Sequence, residues 1–274
     1  MLIRKSEITG LSGDIRKIID GQELDLRENR EGVWGILKND IHTLASLKNE
    51  QVEALEREHD MMRDTLTNIA HQIKTPLTSM MIMADLLEDA PPEKRGEFLS
   101  NIKAGLTRLE WLASSLLKIA KLDAGAVEFS RDYISSDSVV ALALEPLQIL
   151  LDINDQHVET VGETELFCDK RWTAEALTNL IKNASECSPS GSIIRITASM
   201  NPICRWMSVT DGGEGINTAK IAALFKRFEN SQGEKGYGIG LPLALAIMRG
   251  QNGDIEVNGG GNGCGATFTL KFFK

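Results

Sequence analysis

The stretch MRDTLTNIAHQIKTPLTSMMIMADLL, residues 62–87, places apolar side chains at Met62, Leu66, Ile69, Ile73, Leu77, Met80, Ala84 and Leu87. Steps of three and four residues return to one face of a helix that turns about 100° per residue. The spacing predicts one long helix with a single apolar stripe, beginning near Gln51. Asp89, Ala90, Pro91 and Pro92 form a turn, after which Phe98, Ile102, Leu106, Leu109, Ala113, Leu116 and Ala120 repeat the spacing as far as Leu122. The two segments read as an antiparallel helical hairpin. A lone hairpin leaves apolar edges uncovered, and pairing with a second copy into a four-helix bundle would bury them, so a homodimer is expected.

His71 lies two residues after Ile69 and two before Ile73, which sets its ring opposite the stripe, toward solvent. Pro76 has no N–H to offer the carbonyl of Gln72, and this weakens or kinks the helix close to His71. Taken alone, an exposed helical histidine is an ordinary surface residue.

Upstream, Leu11, Ile15 and Ile19 mark a short helix, and past Gly21 and a Glu/Arg-rich stretch a second short helix is expected around Trp34 to Leu47. Downstream, beyond Gly125, Tyr133 to Ser138 opens a domain in which Val139 to Leu151 reads as helix. Ile193 to Ala198 and Cys204 to Val209 read as strands, and glycine becomes dense after Gly212. The chain is divided accordingly into residues 1–50, 51–126 and an α/β domain over 127–274.

With 274 residues, 42% of them apolar, the chain can fill more than one core. The net charge of -9 repels a phosphate backbone, so nucleic acid is set aside as a partner. Cys168, Cys187, Cys204 and Cys264 are far apart without a CxxC pair and read as reduced thiols. Charged residues interrupt every apolar run short of the roughly 18 residues that a bilayer span needs.

In Leu177-Thr178-Asn179-Leu180-Ile181-Lys182-Asn183-Ala184 the asparagines are spaced i, i+4, so both amides leave one side of a helix whose other side is apolar. That geometry suits one shared ligand. Mg2+ prefers oxygen donors and keeps several waters while bridging phosphates, so the amide oxygen of Asn183 is a sufficient protein ligand. Asp211-Gly212-Gly213-Glu214-Gly215-Ile216 follows a strand-like run ending at Val209. A carboxylate there can accept a hydrogen bond from the exocyclic amine of adenine. Gly236-Tyr237-Gly238-Ile239-Gly240-Leu241 precedes a helical run from Pro242 to Met248, where backbone N–H groups form an anion site for phosphates. A dinucleotide-binding loop would need a strand directly before it; the polar stretch Glu229 to Lys235 stands there instead.

Together these motifs resemble the sensor histidine kinases of two-component systems. His71-Gln72-Ile73-Lys74-Thr75-Pro76-Leu77 looks like their H-box, and Asn179 to Asn183 like their N-box. Asp211 to Ile216 resembles the first glycine box, Leu224-Phe225-Lys226-Arg227-Phe228-Glu229 the Phe box, and Gly236 to Leu241 the second glycine box, in the family's order. The resemblance implies an α + α/β architecture: a dimeric hairpin carrying His71, then a Bergerat-type ATP-binding domain in which helices face a mixed sheet. It implies that His71 accepts the γ-phosphoryl group of ATP with Gln72 and Thr75 beside it, and that the group passes to an aspartate on the receiver domain of a response regulator. Thr75 matches the position that orients water for dephosphorylating that partner. Nucleotide would be held by Asn179, Asn183, Asp211, Gly213, Gly215, Ile216, Phe228, Gly236, Gly238, Gly240 and Leu241, with Mg2+ on Asn183 and a mobile lid from the Phe box to Gly236. Two core phenylalanines on a helix account for Phe225 and Phe228 equally well.

Residues 1–50 resemble HAMP-like signal-transmitting helices. The chain is accordingly expected to be the cytoplasmic portion of a protein at the inner face of the cell membrane, with the upstream sensor segment outside it. Three positions depart from the family pattern. Gln72 stands for an acidic residue, Gly212 for an asparagine, and Glu186 for a basic residue, so phosphate contacts are expected from Lys182, Arg227 or Lys235. A gyrase-like or chaperone-like ATPase would share the nucleotide motifs but not a phosphorylatable histidine on a dimerising hairpin. A degenerate kinase serving as a dimeric scaffold or nucleotide sensor would fit Gln72 and Glu186.

Overall fold

The structure, a computed structural model, describes residues 5–19, 33–228, 238–260 and 265–273. The expectations for Lys235, Gly236, Cys264 and the lid over 229–235 lie outside the described residues. The chain divides into two compact units, Met1–Thr67 and Asn68–Lys274.

In the first unit, α1 (Lys5–Ile19) and the start of α2 (Val33–Glu88) bury Leu11 against Ile15, Ile41 and Ala45. The short second helix expected over Trp34 to Leu47 is instead the first part of α2, which continues unbroken to Glu88. No glycine or proline occurs between Gly35 and Pro76, and Lys48 to Asp60 is rich in residues that favour helix, so nothing stops propagation. Solvated pairs such as Glu53–Arg57 and Asp60–Arg63 line this segment and add about 0.3 kcal/mol each.

In the second unit, α2 ends at the expected turn, where Lys94 N donates to Pro91 O at 3.0 Å, and α3 (Pro92–Asp123) starts with proline in its first turn. Gly125, at φ 62, closes α3: its N–H reaches Leu122 O and that of Ala126 reaches Lys121 O. Met80 lies so close to α3 that a Cβ on Gly105 would come within 2.6 Å of its thioether. Much of the predicted stripe stays uncovered in the single chain: Ile73 is 40%, Leu77 45% and Leu106 56% exposed. The buried residues of α3 are Leu112, Ser115 and Ile119, and the leucine and isoleucine join the core of the following domain. α3 therefore has two apolar faces where the spacing showed one.

The α/β domain follows in the order β1 (Asp132–Ser135), α4 (Ser136–Leu144), α5 (Gln148–Ile153), β2 (His157–Val161), β3 (Glu165–Cys168), α6 (Lys170–Cys187), β4 (Ile193–Met200) and β5 (Cys204–Thr210). Then come α7 (Ile221–Leu224), α8 (Gly240–Gly250), β6 (Gly253–Asn258) and β7 (Thr267–Phe273). The main sheet has strand order β2-β4-β5-β7-β6, with β2 parallel to β4 and the other pairs antiparallel, while β1 and β3 form a small antiparallel pair. This is the mixed sheet expected. Ile194, Ile196, Met207, Val209, Phe268 and Leu270 alternate inward. They meet Leu177, Leu180 and Ile181 of α6 and Leu243, Ile247 and Met248 of α8 in one cluster, each large side chain contributing about 1.5–3 kcal/mol. The opposite face carries Thr197, Ser199, Ser208, Thr269 and Lys271, half-buried or wetter, so helices cover one side only. Among the described residues no helix is long and apolar enough to cross a membrane.

Candidate functional site

His71 stands exposed on α2, with Gln72 half-buried beside it. Thr75 is exposed as well, and its hydroxyl donates to His71 O at 3.1 Å. That bond sits beside the place where Pro76 leaves Gln72 O without its usual partner, yet α2 remains one helix.

α6 is N-capped by Asp169, whose carboxylate accepts the N–H groups of Arg171 and Trp172. Cys168, just before the cap, is fully buried, and burial pushes its thiol up. Further along α6, Asn179 is 7% exposed and donates Nδ2 to Glu175 O at 2.8 Å. Its Oδ1 faces the start of α8: a Cβ on Gly240 would lie 2.9 Å from it. Asn183 follows one turn later, half-buried, with its amide carrying no hydrogen bond among the described residues.

Asp211 follows β5 and is 6% exposed. Its Oδ1 accepts from Gly213 N at 2.9 Å and Ala266 N at 3.0 Å, and its own N–H reaches Ala266 O. Oδ2 has no hydrogen-bond partner among the described residues. Gly265, at φ 68, is forced to be glycine, because a Cβ there would lie 2.0 Å from Asp211 O. Gly215 turns the loop at φ 85, and Ile216 ties it down by donating to Gly259 O at 2.8 Å.

Phe228 is buried at φ 66, and its N–H donates to Gly238 O at 3.1 Å. Gly238, at φ 63, passes so close that a Cβ would meet Phe228 Cα at 3.1 Å. Phe228 and Gly238, which flank the undescribed residues 229–237, are thus joined. Past Gly238, Gly240 opens α8 beside Asn179, and Leu241 is buried.

The structure brings Asn179 against Gly240 where α6 packs on α8, and sets Gly213, in the loop after Asp211, against Cys187 at the end of α6. Two of the cations expected at phosphates are engaged elsewhere. Arg227 grips Asp123 of α3 with two hydrogen bonds at 2.9 and 2.8 Å, and Lys182 Nζ lies 4.8 Å from the ring centroid of Trp111. Lys118 Nζ adds a 2.7 Å bond to Glu175 Oε1, on the turn whose carbonyl holds Asn179. Asp123, Trp111 and Lys118 carry no local motif, and for Gly265 and Ala266 the glycine run Gly259 to Gly265 is the available signal. An open cavity of about 440 Å³ lined by Leu122, Val127, Phe129 and Arg131 lies where the chain leaves α3, apart from these residues.

Residues 61–125 match the family described as His Kinase A (phospho-acceptor) domain, and residues 168–274 match the Histidine kinase-, DNA gyrase B-, and HSP90-like ATPase family. The heme sensor protein HssS of Staphylococcus saprophyticus is 30% identical over 240 residues, 86% of this chain and 52% of that protein. The chain thus spans about half the length of this curated relative. The histidine kinase ThkA, solved in complex with the response regulator protein TrrA, superposes with a TM-score of 0.64 at 19% identity, over 83% of this chain and 66% of that one. ShkA, solved full-length with AMPPNP, gives 0.58 at 24% identity, over 76% of this chain and 45% of that one. Both likenesses are likenesses of fold.

Proposed function

The chain belongs to the sensor histidine kinases of two-component systems, and on that premise we propose that it autophosphorylates His71 from ATP and passes the phosphoryl group to an aspartate of a response-regulator receiver domain. The observation that carries the reading is the pairing, in one chain, of an exposed histidine on a long hairpin with the carboxylate of Asp211 and the amides of Asn179 and Asn183. Asp211 presents Oδ2 to the exocyclic amine of adenine while Oδ1 is held by two backbone donors. The start of α8 receives phosphate oxygens.

An imidazole nitrogen of His71 attacks the γ-phosphorus in line; the bond from phosphorus to the bridging oxygen breaks, and ADP leaves with the electron pair. The proton on the other nitrogen is then lost to water, since the Gln72 amide can orient that N–H but cannot take the proton. Asn183 offers Mg2+ a neutral oxygen ligand, and the ion, when bound, spreads the charge that develops on the phosphates. Thr75, one turn from His71, is the residue that would orient a water for dephosphorylating the receiver, a role that its match to the family position supports. The uncovered stripe of Ile73, Leu77 and Leu106 supports the homodimer.

Arg227 and Lys182 are held by α3 in this arrangement, which supports a cycle in which the ATP-binding domain leaves α3 to bring the γ-phosphate to His71. A chase experiment tests the transfer half of the reading. The chain is labelled with γ-labelled ATP and Mg2+, freed of nucleotide and mixed with purified receiver domains. Label is expected to migrate to at least one of them and not to its version lacking the acceptor aspartate; label that stays on the chain throughout contradicts transfer.

A further inference from the structure

One side chain, Ser188, joins the carboxyl end of α6 to the first glycine loop. Its hydroxyl donates to Ala184 O at 2.7 Å and accepts the N–H of Gly212 at 3.0 Å. A hydroxyl has one hydrogen and two lone pairs, so both contacts are made at once. Gly212 has no side chain with which to fix the loop itself, and a Cβ there would come within 3.3 Å of Ser192 Cβ. Next to it, a Cβ on Gly213 would lie 2.7 Å from Cys187 O. The loop therefore rests directly on the last residues of α6.

Ser188 is in turn held from beneath. Gln156, 4% exposed, shares its Nε2 hydrogens among the carbonyls of Ser185, Ser188 and Pro189 at 3.1, 3.2 and 3.2 Å. Its Oε1 accepts the Ser185 hydroxyl at 2.6 Å. A satisfied buried network of this kind fixes a single backbone arrangement. The same helix carries Asn179 and Asn183, and the same loop carries Asp211, whose Oδ1 holds Gly213 N.

We propose that Ser188 is a positioning residue for nucleotide: by holding Gly212 N–H to α6 it sets the spacing between the adenine-reading carboxylate of Asp211 and the amides of Asn179 and Asn183. The assignment rests on the proposed ATP site. Without the hydroxyl, Gly212 N–H loses its acceptor, and the loop that carries Asp211 loses this anchor on the end of α6. The loss falls on the base, because α8 and α6 keep their own arrangement, so recognition of adenine over a 6-oxo purine weakens together with affinity.

The test uses the full chain, with displacement of trinitrophenyl-ATP by ATP and by GTP, and autophosphorylation rates against ATP concentration. Ser188→Ala is expected to weaken ATP about tenfold, raise KM to match, lower the preference for ATP over GTP, and leave kcat within about twofold. Ser188→Thr, which keeps the hydroxyl, is expected to restore affinity and preference. Should alanine lower the folded fraction, Ser188→Cys, of similar volume and with a poorer acceptor, is expected to show the same fall in preference. A general loosening would weaken ATP and GTP alike, so an unchanged preference in these variants overturns the proposal, as does a loss of kcat alone. Wild type that binds no ATP overturns the site and the proposal together; wild type that binds, with a silent Ser188→Ala, overturns the proposal only.

Discussion

Arg227, the residue before the Phe228–Gly238 clasp, presents its guanidinium to both carboxylate oxygens of Asp123, the last residue of α3. The two side chains are 39% and 49% exposed and both bonds come from one guanidinium nitrogen, so the pair is worth under about 1 kcal/mol. That is little enough for nucleotide to overcome. Asp123→Ala is therefore expected to tighten ATP by about two- to fivefold. In an Arg227→Ala background the same substitution is expected to do nothing. Titration of the four proteins with trinitrophenyl-ATP checks this; equal effects of Asp123→Ala in both backgrounds contradict it.

Leu106 is 56% exposed on α3 in the single chain. Burying it against a second copy gains about 1.5–3 kcal/mol per chain, and a lysine there forfeits that gain and sets like charges against each other. Leu106→Lys is expected to shift the chain from dimer to monomer at micromolar concentration. Sedimentation velocity reads this directly, and a wild-type chain that sediments as a monomer contradicts the paired bundle.

Much of this architecture was legible in the order of residues. The hairpin followed from the spacing of Ile69, Ile73, Leu77 and Met80 and from the turn at Pro91 and Pro92, and the strands from the alternation in Ile193 to Ala198 and Cys204 to Val209. The unbroken course of α2 was missed because a weakened apolar period near Leu47 reads as an end, whereas helix stops only where caps or breakers stop it. The second face of α3 was missed because Leu112 and Ile119 gain meaning only once the later domain lies against them. The engagement of Arg227 by Asp123 joins residues far apart in the chain, which no local pattern contains. Among the residues proposed to hold nucleotide, Asn179 and Asp211 are visible as motifs; the Ala266 and Gly265 backbone that holds Asp211 is not.

Gln72 stands beside His71 with an amide where a carboxylate would take up the imidazole proton. Gln72→Glu is expected to raise the autophosphorylation rate by up to about a hundredfold, the low end of what a positioned base contributes. ATP affinity is expected to stay unchanged. Single-turnover labelling at saturating ATP measures it, and a rate unmoved by the substitution removes proton acceptance from the account.

Gly265 holds Asp211 by being absent of side chain: its φ is +68 and a Cβ would lie 2.0 Å from Asp211 O. Gly265→Ala is expected to destabilise the α/β domain by more than about 2 kcal/mol and to weaken ATP in the fraction that folds. Thermal melting with and without ATP reports both effects, and a melting temperature equal to wild type contradicts the packing described around Asp211.

The most direct test of the central claim is incubation of the chain with γ-labelled ATP and Mg2+, wild type beside His71→Ala, followed by acid and alkali treatment of the labelled protein. The account predicts label on the wild type that is lost in acid and kept in base, as an N–P bond requires, and no label on His71→Ala although that variant still binds trinitrophenyl-ATP. Equal labelling of the two proteins, or nucleotide binding by wild type with no label at all, contradicts it.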